Sequence, residues 1–126
     1  MRVVIADDHG IVRSGVRMLL ERQPDIEVVG EASDGAEARD LAIRERPDLA
    51  ILDVKMPKLT GLQATREIRE HAPEVAVLIL SMYDDERYLF EALKAGASGY
   101  VLKAQADEDL MAAVRAIEKG EPFLTP

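Results

Sequence analysis

The sequence predicts an α/β fold built on a parallel sheet. Two observations carry this. Five short apolar segments of strand length alternate with five segments whose apolar residues recur at helical spacing. The strand segments are also apolar nearly throughout, as strands covered by helices on both faces must be.

The elements follow in order. Val3-Val4-Ile5-Ala6 is the first strand, stopped by Asp7-Asp8. Val12, Val16, Leu19 and Leu20 mark one helix face, and Pro24 closes that helix. Ile26, Val28 and Val29 form a second strand ending near Glu31-Ala32, and Asp34-Gly35 is a turn signal. Residues 35–46 are helical up to Pro47. Leu49-Ala50-Ile51-Leu52 is a third strand, stopped by Asp53. Leu62, Thr65, Ile68 and Ala72 line a helix that Pro73 terminates. Residues Val75 to Leu80 give the strongest strand signal. Leu89, Phe90 and Leu93 lie on a helix ending at Gly96, a residue suited to the positive φ of a helix C-terminus. Gly99-Tyr100-Val101-Leu102 is the fifth strand, and Leu110, Ala113, Val114 and Ile117 line a last helix closed by Gly120. Residues 1–120 are thus one domain, and residues 121–126, with two prolines, read as the start of a linker.

Right-handed crossovers leave two common topologies for such an alternation. A dinucleotide-binding fold needs a glycine-rich turn after the first strand. This chain has Ala6-Asp7-Asp8-His9-Gly10 there. The expectation is therefore a flavodoxin-like, doubly wound (βα)5 fold, with a five-stranded sheet in the order 2-1-3-4-5.

Composition narrows the function. A chain of 126 residues buries roughly two-thirds of its unfolded surface, so no staple is required. It has no cysteine, which excludes disulfides, thiolate zinc sites and a cysteine nucleophile. Its net charge of −8 argues against direct nucleic-acid binding or an anionic membrane surface. No apolar run approaches the roughly 18 residues of a membrane span, and no signal peptide is evident. A cytoplasmic protein is expected.

Ligands of open α/β sheets bind beyond the carboxyl ends of the strands. In the expected order, Asp7, Asp8, Asp53, Ser81 and Lys103 all end adjacent strands and converge on one mouth. Clustered carboxylates are a hard-oxygen site of the kind that holds Mg²⁺. At about 5 Å and an effective dielectric near 20, each carboxylate pair repels by roughly 3 kcal/mol, a cost that a divalent cation removes. A lysine and a hydroxyl opposite suit the oxygens of a phosphoryl group.

These motifs resemble the receiver domain of bacterial two-component response regulators. The resemblance spans the whole chain: Asp7-Asp8 after the first strand, Asp53 followed by Met56-Pro57 and Gly61, Ser81 after the fourth strand, and Tyr100-Val101-Leu102-Lys103. Asp7-Asp8-His9 with Val12 to Gly15, Gly96 to Tyr100, and the ending from Gly120 to Pro126 resemble the NarL/FixJ type. The resemblance implies that Asp53 takes a phosphoryl group from a sensor histidine kinase. Asp8, Asp53 and the Lys55 carbonyl would ligate Mg²⁺ directly, and Asp7 through water. Lys103 would pair with the phosphoryl group, with Ser81 as the switch hydroxyl and Tyr100 as the aromatic behind it. It further implies a switching surface at the fourth and fifth helices and fifth strand, a C-terminal helix-turn-helix DNA-binding domain beyond this chain, and a homodimer among the candidate assemblies.

Three departures from the commonest pattern stand out: Ala104 in place of proline, Met82 in place of a small residue, and Lys55 with Tyr83 beside the site. Plainer readings exist for each residue alone. Asp7-Asp8 can cap a helix, Tyr100 can simply fill the core, and His9 can serve the helix start. Two rival functions also fit parts of the pattern. A Mg²⁺-dependent aspartyl-phosphate phosphatase would want an acid at position 55, where Lys55 stands. A degenerate receiver, acting only as a protein-binding module, would not need the intact set of charges.

Overall fold

In the computed structural model, which describes residues 1–124, the strands are β1 (Arg2–Ala6), β2 (Glu27–Ala32), β3 (Leu49–Asp53), β4 (Ala76–Ser81), β5 (Gly99–Leu102) and β6 (Phe123–Leu124). The helices are α1 (Gly10–Glu21), α2 (Gly35–Glu45), α3 (Gly61–His71), α4 (Glu86–Ala95) and α5 (Ala106–Glu118). All strands pair in parallel in the order β2-β1-β3-β4-β5-β6. The flavodoxin-like order is thus present with one addition. The tail read as the start of a linker contributes a sixth strand at the sheet edge. Residues 125 and 126 of that tail lie outside the described residues.

Strand alternation splits the core in two. Val3, Ile5, Ile51, Leu78 and Val101 face α1 and α5, where they meet Leu20, Leu110 and Val114. Val4, Ala50, Leu52, Val77, Ile79 and Tyr100 face the other way, toward Ala38, Leu41, Ile68 and Ala92 of α2, α3 and α4. Both faces are covered, which is why the strand segments carry no polar alternation.

Helix starts are set locally. Asp34 accepts the Glu37 amide at 2.8 Å. Thr60 and Gln63 form a reciprocal capping box at the start of α3. Asp85 caps α4 through the Arg87 amide. Gly96 ends α4 at φ 102°, the left-handed conformation expected of it.

Gly61 ties α3 to the end of β3. Its amide donates to the Val54 carbonyl at 2.7 Å. A Cβ there would lie 1.8 Å from the Asp53 carbonyl oxygen, so the close approach requires glycine. After β5, a single 3-10 turn over Lys103–Gln105 leads into α5, an element the apolar periodicity gave no sign of. No cis peptide occurs among the described residues, and the Lys103–Ala104 bond is trans.

Candidate functional site

Strand register brings the predicted residues to one mouth. Ala6 of β1 lies opposite Leu52 of β3, so Asp7 and Asp53 are the next pair along. Asp53 lies opposite Leu80, and Ser81 lies opposite Leu102, one residue before Lys103. Asp53 shares the strand parity of Ile51, on the α1–α5 side. Ser81 shares that of Ile79, on the side of Tyr100 and α4. Charge and hydroxyl therefore leave the carboxyl end of the sheet on opposite faces.

Lys103 bridges two buried acids. Its Nζ lies 2.9 Å from Asp7 Oδ2 and 3.2 Å from Asp53 Oδ1. Asp7 and Asp53 are 3% and 5% exposed, so little water screens these contacts. At an effective dielectric near 20, each attraction is about 5–6 kcal/mol before desolvation. Burial and the Asp7 charge push the Asp53 carboxyl up, and Lys103 opposes them. Burial pulls the Lys103 ammonium down, but its hydrogen bond to Asp7 and the two carboxylate charges outweigh this and raise it.

Asp7, Asp8, His9 and Asp53 each offer an atom within 4.8 Å of the others. Three carboxylates make this donor set predominantly hard oxygen, which fits a small dication that keeps several waters. The acids do not cap α1: His9 is its N-cap residue, and Asp7 Oδ1 accepts the His9 amide at 2.8 Å. His9 Nδ1 lies 3.2 Å from both Asp7 and Asp8, so a residue assigned to the helix start also faces the acidic cluster. Arg13 fixes the Asp7 backbone by donating to its carbonyl at 2.6 Å, and it is itself held by Glu31. Outside these groups, an open cleft of about 490 Å³ is lined by Asp8, Ile11, Met82 and Lys103, with Met82 69% exposed.

The Lys55 side chain takes no part in the cluster. It lies over the Tyr83 ring, 4.9 Å from the centroid, and Tyr83 stacks on Tyr88 with centroids 4.7 Å apart. Tyr83 is the connection that sequence reasoning missed. Its amide donates to Ser81 Oγ at 2.9 Å, and its carbonyl accepts the Tyr100 hydroxyl at 2.7 Å. Ser81 and Tyr100 are both buried, and Tyr83 joins them through one peptide unit on each side. Burial raises the Tyr100 phenol, and a hydrogen bond with Ser81 opposes this. Tyr100 also walls a cavity of about 320 Å³ with Tyr83, Leu89 and Phe90.

Comparison with known proteins places this arrangement. Residues 3–115 match the family described as the response regulator receiver domain. The chain is 51% identical over 125 residues to the oxygen regulatory protein NreC of Staphylococcus epidermidis, covering 98% of this chain and 57% of that protein. The chain thus spans little more than half the length of that relative. A two-component response regulator of the LuxR family from Aurantimonas superposes with a TM-score of 0.94 at 39% identity, covering 99% of this chain and 89% of the other. The signal receiver domain of a response regulator described as NarL from Mycobacterium tuberculosis gives 0.91 at 38% identity, with 95% and 97% covered.

Proposed function

Since the chain belongs to the response regulator receiver domain family, in its NarL/FixJ branch, we propose that it is a phosphorylation-operated switch with Asp53 as phosphoacceptor. The observation that carries this reading is the Lys103 bridge between Asp7 and Asp53 at the carboxyl ends of the strands. Two buried acids held by one lysine are poorly explained as a stabilising device, because such pairs rarely outweigh their desolvation. They are well explained as a phosphoryl-transfer site, where positioning and charge do the chemistry.

An Asp53 carboxylate oxygen attacks the phosphorus of a phosphohistidine on a sensor kinase. The P–N bond breaks as the P–O bond of an acyl phosphate forms, and the departing nitrogen keeps the electron pair, leaving as neutral imidazole because the other ring nitrogen already carries a proton. Mg²⁺, held by Asp8, Asp53 and the Lys55 carbonyl and through water by Asp7, would neutralise charge on the transferring group. Lys103 keeps its contact with Asp7 while pairing with a phosphoryl oxygen. Ser81 then offers its hydroxyl as donor. Reaching that group swings Oγ away from the Tyr83 amide it accepts from, which biases the Tyr83–Tyr100 pair and the surface around α4, β5 and α5.

In this reading residues 1–120, with β6 added to their sheet, are the receiver of a longer protein with a DNA-binding output domain, which makes the whole protein a cytoplasmic transcription regulator. No helix among the described residues is long and apolar enough to cross a membrane. Intact-mass measurement with a small acyl-phosphate donor and Mg²⁺ tests the core of the proposal. One phosphoryl adduct is expected on the wild type and none on Asp53→Asn. Equal labelling of the two would reject Asp53.

A further inference from the structure

The last described strand pairs beside the residue that would switch. β6 pairs in parallel with β5, Phe123 opposite Gly99 and Leu124 opposite Tyr100. The Phe123 amide donates to the Ser98 carbonyl at 3.1 Å. Gly120, at φ 82°, turns the chain off α5, and the Glu121 amide returns to the Ala116 carbonyl at 2.9 Å. Directly opposed residues in a ladder share a face. Leu124 therefore stands on the face of Tyr100 and α4, and Phe123 on the opposite face, where it is half-buried against the α1–α5 core. The fit at Gly99 is tight: a Cβ there would lie 2.7 Å from Leu78 Cδ1 and 3.2 Å from the Phe123 carbonyl.

We propose that β6 is a state-dependent clasp, which phosphorylation at Asp53 loosens through Tyr100. The inference rests on the reading of Asp53 as phosphoacceptor and adds the route by which the chain beyond the sheet senses it. The Tyr100 hydroxyl is tethered to the Tyr83 carbonyl, and the Tyr83 amide is tethered to Ser81 Oγ. A Ser81 hydroxyl that turns to a phosphoryl oxygen releases that amide, and the acceptor of Tyr100 moves with the same residue. The cavity beside Tyr100, about 320 Å³, leaves its ring room to relocate. Leu124 shares the ring's ladder position and is 40% exposed, so it is held less firmly than a core leucine. A two-residue edge strand belongs to the low-stability end of a fold, where a small change in a neighbour tips pairing. Phe123 supplies the anchor that makes the clasp closed in the unphosphorylated state.

The test is amide hydrogen exchange with and without Mg²⁺ and beryllium fluoride, a phosphoryl mimic. Bound mimic should speed exchange of the Phe123 amide by about fivefold or more, the low end of ordinary coupling between sites. Coupling is reciprocal, so Phe123→Ala should tighten mimic binding by a similar factor, while Phe123→Leu, which keeps the anchor, should not. Tyr100→Phe keeps the ring and loses the tether, and should shrink the exchange response. Unchanged or slower Phe123 exchange, while amides near Asp53 and in residues 81–103 shift, overturns the clasp. An undiminished response in Tyr100→Phe overturns the route through Tyr100. No shift anywhere rejects the phosphoacceptor reading, and the clasp with it.

Discussion

Replacing Lys103 with methionine probes the charge balance on which the site is built. The substitution keeps length and apolar stem and removes the ammonium that contacts Asp7 at 2.9 Å and Asp53 at 3.2 Å. Two attractions of about 5–6 kcal/mol each disappear, and the desolvation cost of the lysine is recovered. The carboxylates, with oxygens within 4.8 Å, are left repelling by about 3.5 kcal/mol at an effective dielectric near 20. Breaking a buried pair from one side costs about 3–5 kcal/mol in total. With an m-value of roughly 1.5 kcal/mol per molar in urea, that is a midpoint lower by about 2–3 M at neutral pH. The sign of the pH dependence follows from the carboxyls. Lys103 is the group that opposes the upward shift of Asp53, so its loss lets that pKa rise further. A carboxyl whose folded pKa lies above the unfolded one favours the fold when protonated, and this contribution is lost as pH rises through the folded value. The Lys103→Met deficit must therefore shrink as pH falls into the carboxylate range. Urea unfolding at neutral and acidic pH measures both quantities, and the double variant with Asp7→Asn should recover much of the loss. A deficit under about 1 kcal/mol, or one equal at both pH values, would refute the reasoning.

Three further outcomes are expected. Asp53→Asn should be more stable than wild type at neutral pH, and flatter between neutral and acidic pH, because it removes a buried carboxyl whose pKa is raised by desolvation and the Asp7 charge; a less stable variant in thermal melts would contradict this. Mg²⁺ at a hundred times its dissociation constant should add about 2.7 kcal/mol to wild-type stability, and Asp8→Ala should lose most of that gain in the same melts. Gly61→Ala should cost about 1–3 kcal/mol or more in urea unfolding, since its Cβ would meet the Asp53 carbonyl oxygen at 1.8 Å; an unchanged midpoint would mean that the β3–α3 loop is built differently.

The sequence by itself determined the alternation of five strands and five main helices, because each element buries enough apolar surface to need a repeating pattern. It also marked the candidate site residues, since the charged Asp7, Asp8, Asp53 and Lys103 and the hydroxyl of Ser81 stand where apolar strands stop, and a strand end is visible as a change in hydropathy. Tertiary structure decided what those residues touch. That Lys103 bridges Asp7 and Asp53 depends on register between three strands, and that His9 turns toward the acids depends on how α1 leaves the sheet. The Lys55–Tyr83–Tyr88 stack and the Tyr83 link between Ser81 and Tyr100 join loops that meet only once the sheet has formed. β6 was invisible for a related reason. Two residues are too few to show a period, and Phe123 and Leu124 become a strand because β5 leaves an unpaired edge within reach of the chain that follows α5.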